Sequence, residues 1–98
     1  MTSMKLEYRK LTEAEIAVAI ADAAGWSIQE GQLTKEFTFP AYLDGVNFAA
    51  QVGQIAEKLN HHPDILIKWC RVVIAVNTHD VQGISPYDFE LARLIDGI

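Results

Sequence analysis

The chain is organised around residues 57–88, EKLNHHPDILIKWCRVVIAVNTHDVQGISPYD. This stretch contains all the histidines of the chain, which are His61, His62 and His79. Two apolar runs rich in β-branched residues, 65–69 and 72–76, lie between them and are typical of paired strands. A tight antiparallel hairpin centred on Cys70-Arg71 would pair residues whose numbers sum to 141.

One face of this predicted hairpin is entirely apolar, which indicates a sheet with one buried face. The apolar face carries Ile65, Ile67, Trp69, Val72, Ile74 and Val76. If the register continues outward, His62 lies opposite His79, with Cβ atoms about 5 Å apart. Cys-Arg is a poor tight-turn pair, but a four-residue loop on the same centre preserves the pairing. We therefore expect the hairpin to bring these imidazoles together.

Helix and turn signals before and after this hairpin predict the order α-ββ-α-ββ-α. The predicted elements are a helix over about 13–24 stopped by Gly25, a hairpin over 26–39 with its turn at 30–31, a helix over about 41–59, the hairpin described above, and a helix over about 86–96. Residues 1–10 are predicted to be a loosely held lead-in. Thr12 with Glu15 has the spacing of a capping box, and Ser85 with Asp88 marks the start of the last helix.

The predicted central helix carries two stripes of residues that can pack. The first is Phe48, Val52, Ile55 and Leu59, and the second consists of the small residues Gly45, Ala49, Gly53 and Ala56. A helix with two such faces is expected to pack on the sheet with one and on a partner subunit with the other. Together with the small size of the chain, this predicts a homodimer or homotetramer.

Composition places the chain among small soluble domains. Its 98 residues, half of them hydrophobic, fit one domain over residues 1–98. The net charge of −5 argues against nucleic acid as a partner, and the single Cys70 excludes an internal disulfide. No apolar run approaches the roughly 20 residues needed to span a membrane, and no signal peptide is recognisable. We therefore expect a cytoplasmic protein with no membrane partner.

The histidine cluster has three interpretations. Three histidines are a workable catalytic zinc ligand set, but their spacing matches no HExxH or CxxC pattern. As structural residues, His61 and His62 would be ordinary loop residues and His79 a strand-end residue. As catalysts they would act as metal-free general acids and bases, because the unperturbed imidazole pKa of about 6.5 suits neutral pH.

The spacing of the motif residues resembles a known signature. The run Glu57-Lys58-Leu59-Asn60-His61-His62-Pro63 is followed after five residues by Trp69, after nine by His79 and after eight by Asp88. This pattern resembles the pterin-4a-carbinolamine dehydratases. The resemblance extends over nearly the whole chain, and its further motifs are Gly25-Trp26, Phe37-Thr38-Phe39, Thr78-His79, Gly83 and the helix from Asp88 through Leu91-Ala92.

The resemblance implies a fold, a reaction and a set of site residues. The fold is a two-layer α+β domain with a four-stranded antiparallel sheet and three helices on one face, built into dimers or tetramers. The reaction is dehydration of a 4a-hydroxytetrahydropterin to the quinonoid dihydropterin, which recycles the cofactor of aromatic amino acid hydroxylases; the pterin is substrate, and no bound cofactor or metal is implied. His61, His62 and His79 would be catalytic. The residues implied to bind or support the substrate are Glu57, Pro63, Thr78 and Asp88.

Several alternatives stay open. Asp88 at the third position of a helix could serve only as a cap, and Glu57 could be a solvated helix residue. Trp69 stands where the family usually has tyrosine, and we expect it in the core; Gln82 replaces a common glycine. The rival function is a non-enzymatic binding module, a transcription-factor dimerisation cofactor or an assembly factor, acting through an exposed Phe48/Val52/Ile55 stripe. Retention of all three histidines favours the enzyme.

Overall fold

The computed structural model describes residues 4–98, which form an α+β domain with the predicted order of elements. The elements are α1 (Glu13–Ala21), β1 (Ser27–Gln29), β2 (Gln32–Thr38), α2 (Tyr42–Leu59), β3 (Asp64–Lys68), β4 (Arg71–Val76), a short 3-10 helix (His79–Val81) and α3 (Pro86–Asp96). All strand pairs are antiparallel, and the sheet order is β1-β2-β4-β3. The predicted fold class is confirmed.

The core lies between the sheet and the helices. Strand β4 is central, and its alternate residues Val72, Ile74 and Val76 are fully buried against helix residues such as Val52 and Leu91. Each large apolar side chain buried in this way contributes about 1.5–3 kcal/mol. The alternation predicted for this strand is confirmed, and it makes β4 the strand on which the rest of the domain is assembled.

The β3–β4 hairpin turns one residue earlier than predicted. Lys68 pairs with Arg71, so the turn is Trp69-Cys70 and paired residue numbers sum to 139. Cys70 adopts a left-handed φ of 57°, which permits the two-residue turn although cysteine rarely takes this conformation. Because the sum changes by two, every strand residue keeps its predicted face. The expectation that Trp69 is a core residue is wrong, since it lies in the turn and is 79% exposed.

Helix α1 has the predicted start and an earlier end. The capping box between Thr12 and Glu15 is confirmed. The helix ends at Ala21 rather than near residue 24, because the next turns are closed by shorter bonds, from Asp22 N to Ala19 O and from residue 23 to residue 20. Gly25 then reverses the chain with φ of 86°, a conformation suited to glycine.

Both stripes of α2 face the core, so the expectation that one of them faces a partner is wrong. Phe48 and Val52 are buried, and so are Gly45, Ala49 and Ala56 of the small-residue stripe. The two stripes are neighbouring halves of one broad buried face. The exposed Phe48/Val52/Ile55 surface that a binding module would use is therefore not formed.

Within residues 4–98, no helix is both long and apolar enough to cross a membrane.

The segment before α1 is attached at several points, which corrects the expectation of a loosely held start. Residues 1–3 of that predicted lead-in lie outside the described part of the chain. Leu11 is buried and its N–H donates to Ile84 O at 2.8 Å. Arg9 donates to the Glu15 carboxylate at 2.9 Å, and this bond, with that of the Thr12 N–H, lowers the pKa of Glu15 to about 2. The segment is thereby tied to the start of α1 and to the loop before α3.

The two glycines of α2 allow a paired test of this packing. A Cβ on Gly53 would meet nothing within 4 Å, so Gly53→Ala is expected to raise the free energy of unfolding by about 1 kcal/mol through helix propensity. A Cβ on Gly45 would lie 3.2 Å from Val72 Cγ2, which offsets that gain. Urea unfolding of the two variants measures the difference. A lower free energy of unfolding for Gly53→Ala than for Gly45→Ala would contradict the open surroundings of Gly53.

Candidate active site

The polar groups of the site are hydrogen-bonded to one fully buried carboxylate, that of Asp88. Its Oδ1 lies 2.6 Å from His61 Nε2, while Oδ2 accepts from the Thr78 hydroxyl at 2.8 Å and from the Ser85 N–H at 2.9 Å. His61, Thr78 and Ser85 are themselves buried. Burial of a carboxylate is costly unless it is paired, and three donors meet that requirement here.

Two helix ends deliver these groups. Asn60 ends α2 with a left-handed φ of 54°, and the His61 N–H donates back to Ala56 O at 3.0 Å. Ser85 caps α3, and Asp88 at its third position completes a capping box. Asp88 therefore caps its own helix and pairs with His61 at the same time, so the two roles left open by the sequence are not alternatives.

The hydrogen bonds determine where the protons lie. The Thr78 hydroxyl has one proton and donates it to Asp88, so the Ser85 hydroxyl 2.6 Å away must donate to Thr78. The Ser85 oxygen in turn accepts from the Tyr87 N–H at 3.2 Å. Oδ2 is thus occupied by two donors, and Oδ1 faces Nε2 of His61. This arrangement favours the tautomer with the proton on Nε2.

The other ring nitrogen of His61 is left available. Nδ1 has no hydrogen-bond partner among residues 4–98, and no buried side-chain nitrogen or oxygen in that range lacks a partner. Nδ1 therefore reaches solvent although the residue as a whole is buried. A neutral imidazole held in this way presents a lone pair for proton transfer, as the histidine of a catalytic triad does.

His62 points away from His61 and forms a second histidine–carboxylate pair. Its Nε2 contacts Glu57 in the last turn of α2, and both side chains are exposed. Pro63 follows, half-buried, immediately before β3. In the HHP turn, the imidazole of His61 therefore lies inward against α3, and that of His62 lies outward beside α2.

The predicted cross-strand pairing of His62 with His79 is wrong. With paired numbers summing to 139, His62 would lie opposite Asn77, and β4 has already ended at Val76. His79 instead begins the 3-10 helix, is exposed, and makes no side-chain hydrogen bond within residues 4–98. The preceding residue, Thr78, does lie beside His61, because the Thr78 hydroxyl is 3.5 Å from His61 Nε2.

The loop after His79 tolerates its unusual residue. Gln82 adopts a left-handed φ of 54°, which explains why glycine suits this position. The loop closes with two hydrogen bonds between Thr78 and Gly83, the shorter at 2.8 Å. The replacement of glycine by Gln82 therefore leaves the position of Thr78 intact.

Sequence reasoning missed two residues of this site. The sequence identifies Ser85 only as a helix cap, yet its hydroxyl also donates to Thr78. Tyr87 carried no signal, and its ring lies 5.8 Å from that of His61, centroid to centroid. Across residues 4–98, no group of three histidine, cysteine or acidic side chains is arranged to hold a metal ion.

Removal of the Asp88 carboxylate tests this network. Asp88→Ala leaves His61 Nε2, the Thr78 hydroxyl and the Ser85 N–H without an acceptor, and is expected to lower the free energy of unfolding by about 3 kcal/mol or more. The exposed Asp44 in the first turn of α2 is the matched control, because Asp44→Ala should cost under about 1 kcal/mol. Equal losses for the two variants in urea unfolding would contradict the network.

Comparison with known proteins identifies the family of the chain. The family model described as "Pterin 4 alpha carbinolamine dehydratase" matches residues 9–98. Curated relatives from Sulfurisphaera tokodaii and Mycobacterium avium are each 41% identical over 88 residues, which cover 90% of this chain and 95% and 94% of theirs. Both carry the name "Putative pterin-4-alpha-carbinolamine dehydratase".

Solved structures share the fold. A crystal structure from Brucella melitensis, described as a transcriptional coactivator/pterin dehydratase, has a TM-score of 0.85 and 32% identity, and the match covers 91% of this chain and 97% of that one. A pterin dehydratase-like protein described as a RuBisCO assembly factor in the alpha-carboxysome has a TM-score of 0.63 at 21% identity, over 74% and 87% of the two chains, and shows the fold alone. As its histidine spacing indicated, this chain belongs to the pterin 4 alpha carbinolamine dehydratase family.

Proposed function

We propose that this protein removes water from a 4a-hydroxytetrahydropterin, the pterin-4a-carbinolamine, and so acts as a hydro-lyase. Membership of the family and the names of its curated relatives support the reaction. The single observation that carries the mechanism is the His61–Asp88 pair, in which a buried carboxylate occupies Nε2 and leaves Nδ1 free. The physiological role would be to recycle the pterin cofactor of aromatic amino acid hydroxylases.

The reaction requires two proton transfers. A general acid protonates the 4a-hydroxyl oxygen, the bond from C4a to that oxygen breaks, and water leaves. A general base takes the proton from ring nitrogen N5, and the electron pair of that N–H bond forms the double bond between N5 and C4a. The products are water and the quinonoid dihydropterin. Each positioned proton transfer is worth about 10²–10⁴-fold in rate.

The site residues divide into those that exchange protons and those that support them. In this proposal His61, His62 and His79 contact the substrate and carry the protons. Asp88 positions His61, and Glu57 supports His62, each through the contact described above. Thr78 and Pro63 flank the histidines in the chain and would line the pterin pocket. The pterin is the substrate, and the mechanism requires no metal or bound cofactor.

Replacement of the paired histidines tests the mechanism. His61→Ala and His62→Ala are each expected to lower kcat for dehydration of freshly generated 4a-hydroxytetrahydropterin by about 10²-fold. The double variant should lose less than the product of the two effects, because groups that act together are not additive. His62 is exposed, so its variant should fold normally. The exposed Gln54 on α2 provides the control variant Gln54→Ala.

Two results would contradict this mechanism. The first is that the single variants His61→Ala and His62→Ala both keep the wild-type rate, with the fold of His62→Ala checked by circular dichroism. The second is loss of activity after treatment with EDTA that is restored by zinc, which would replace imidazole catalysis by a metal mechanism.

We also propose that the protein is a homo-oligomer, either a dimer or a tetramer. Exposed apolar side chains at two surface positions support this: Leu43 in the first turn of α2, and the edge strand β3 with Leu66, Ile67 and the adjoining Trp69. An edge strand with exposed apolar side chains is prone to pair with another chain. Both surfaces differ from the two α2 stripes, which are buried within the subunit.

Sedimentation velocity tests the oligomer. The wild-type protein should sediment as a dimer or tetramer at micromolar concentration, and Leu43→Asp or Leu66→Lys should shift it to a smaller species. The exposed Val18 on α1 lies on neither surface, so Val18→Lys is the matched control and should leave sedimentation unchanged. A monomeric wild-type protein would contradict the proposal.

A further inference from the structure

An aromatic stack reaches from the N-terminal segment to the paired histidine. The ring of Tyr8 stacks on that of Tyr87, with centroids 4.4 Å apart and planes inclined by 16°. Tyr87 in turn packs beside His61, at 5.8 Å and 43°. Tyr87 immediately precedes Asp88 on α3. The residue that hydrogen-bonds to His61 and the residue whose ring packs beside it are therefore consecutive in the chain.

His61 needs a second constraint besides its hydrogen bond. The Asp88 carboxylate holds Nε2 at 2.6 Å, but a hydrogen bond to one ring atom does not by itself fix the tilt of the ring, which depends on the side chains packed around it. Tilting would redirect Nδ1, the nitrogen left free for proton transfer. A flat ring packed against the imidazole limits this motion, and Tyr87 is the aromatic residue in that position.

Tyr87 is only partly buried, and Tyr8 covers one of its faces. The segment that carries Tyr8 is attached to α1 and to the loop before α3. Arg9 binds Glu15 at the start of α1, and Leu11 donates to Ile84 just before the α3 cap. The side chain of Lys10 lies directly over Gly83, where its carbons would meet a Cβ at 2.9–3.3 Å. Tyr8 is therefore held in place rather than resting on Tyr87 alone.

We propose that Tyr8 is a positioning residue of the active site, acting on His61 through Tyr87. The match to the family model begins at residue 9, so Tyr8 lies one residue before it. The inference rests on the proposed function for its catalytic consequence, and on the stack alone for its effect on the imidazole. Loss of the Tyr8 ring would free the Tyr87 ring, and the Nδ1 of His61 would spend less time directed at the substrate.

Substitutions at residue 8 test the proposal by steady-state kinetics. Tyr8→Ala is expected to lower kcat for dehydration about tenfold with KM within about twofold of the wild type, because misplacement of a catalytic group acts on the reacting state. Tyr8→Phe keeps the stacked ring and should restore kcat. Tyr42→Ala is the control, because Tyr42 is 49% exposed against 53% for Tyr8 and lies on α2 without an aromatic partner among residues 4–98.

The carbon-bound ring protons of His61 give a second readout that does not need activity. In NMR spectra, Tyr8→Ala should move or broaden the His61 ring signals through the changed position of the Tyr87 ring, and Tyr8→Phe and Tyr42→Ala should not. Unchanged His61 signals in Tyr8→Ala overturn the proposal, as does a raised KM with unchanged kcat, which would make Tyr8 a substrate contact. A wild-type protein without dehydratase activity refutes the proposed function, and the His61 signals then decide alone whether Tyr8 positions the ring.

Discussion

The site depends on the need to satisfy one buried carboxylate. Asp88 has no exposed surface, and a buried ion that is not paired costs several kcal/mol. Its three donors come from three places in the fold: His61 after α2, Thr78 after β4 and Ser85 before α3. The ends of these elements must meet for the carboxylate to be accommodated. The packing of α2, β4 and α3 that forms the core therefore also brings the groups of the site together.

This arrangement lets one residue serve stability and geometry together. Asp88 completes the capping box of α3, where the positive end of the helix dipole favours a negative charge. The helix also fixes the direction of the carboxylate, and through it the direction of the His61 ring. A site built on the ends of two packed helices holds its groups more rigidly than a site built on free loops.

Local signals in the sequence predicted the elements well where the backbone follows common preferences. The last helix runs over Pro86–Asp96 as predicted, because its cap, proline and acid stand at the N-cap, first and third positions that start a helix. The Glu30-Gly31 turn was also predicted, and its residues have φ of 50° and 78°. The Trp69-Cys70 turn was not, since cysteine in a left-handed conformation has no distinguishing sequence signal. Period-two alternation nevertheless predicted the faces of the strands, because faces do not change when the pairing shifts by two.

The sequence by itself determined the order of the elements, the buried face of the sheet and the family, because these follow from periodicity, caps and residue spacing. Only the tertiary structure decided how the histidines are paired. His61 and His62 are adjacent in the chain but turn to carboxylates on different helices, Asp88 and Glu57. The partners of the buried carboxylate include residues 10 and 27 positions away. Periodicity reports which residues are buried, whereas a hydrogen-bond partner is selected by distance and direction, which exist only once helices and sheet have packed.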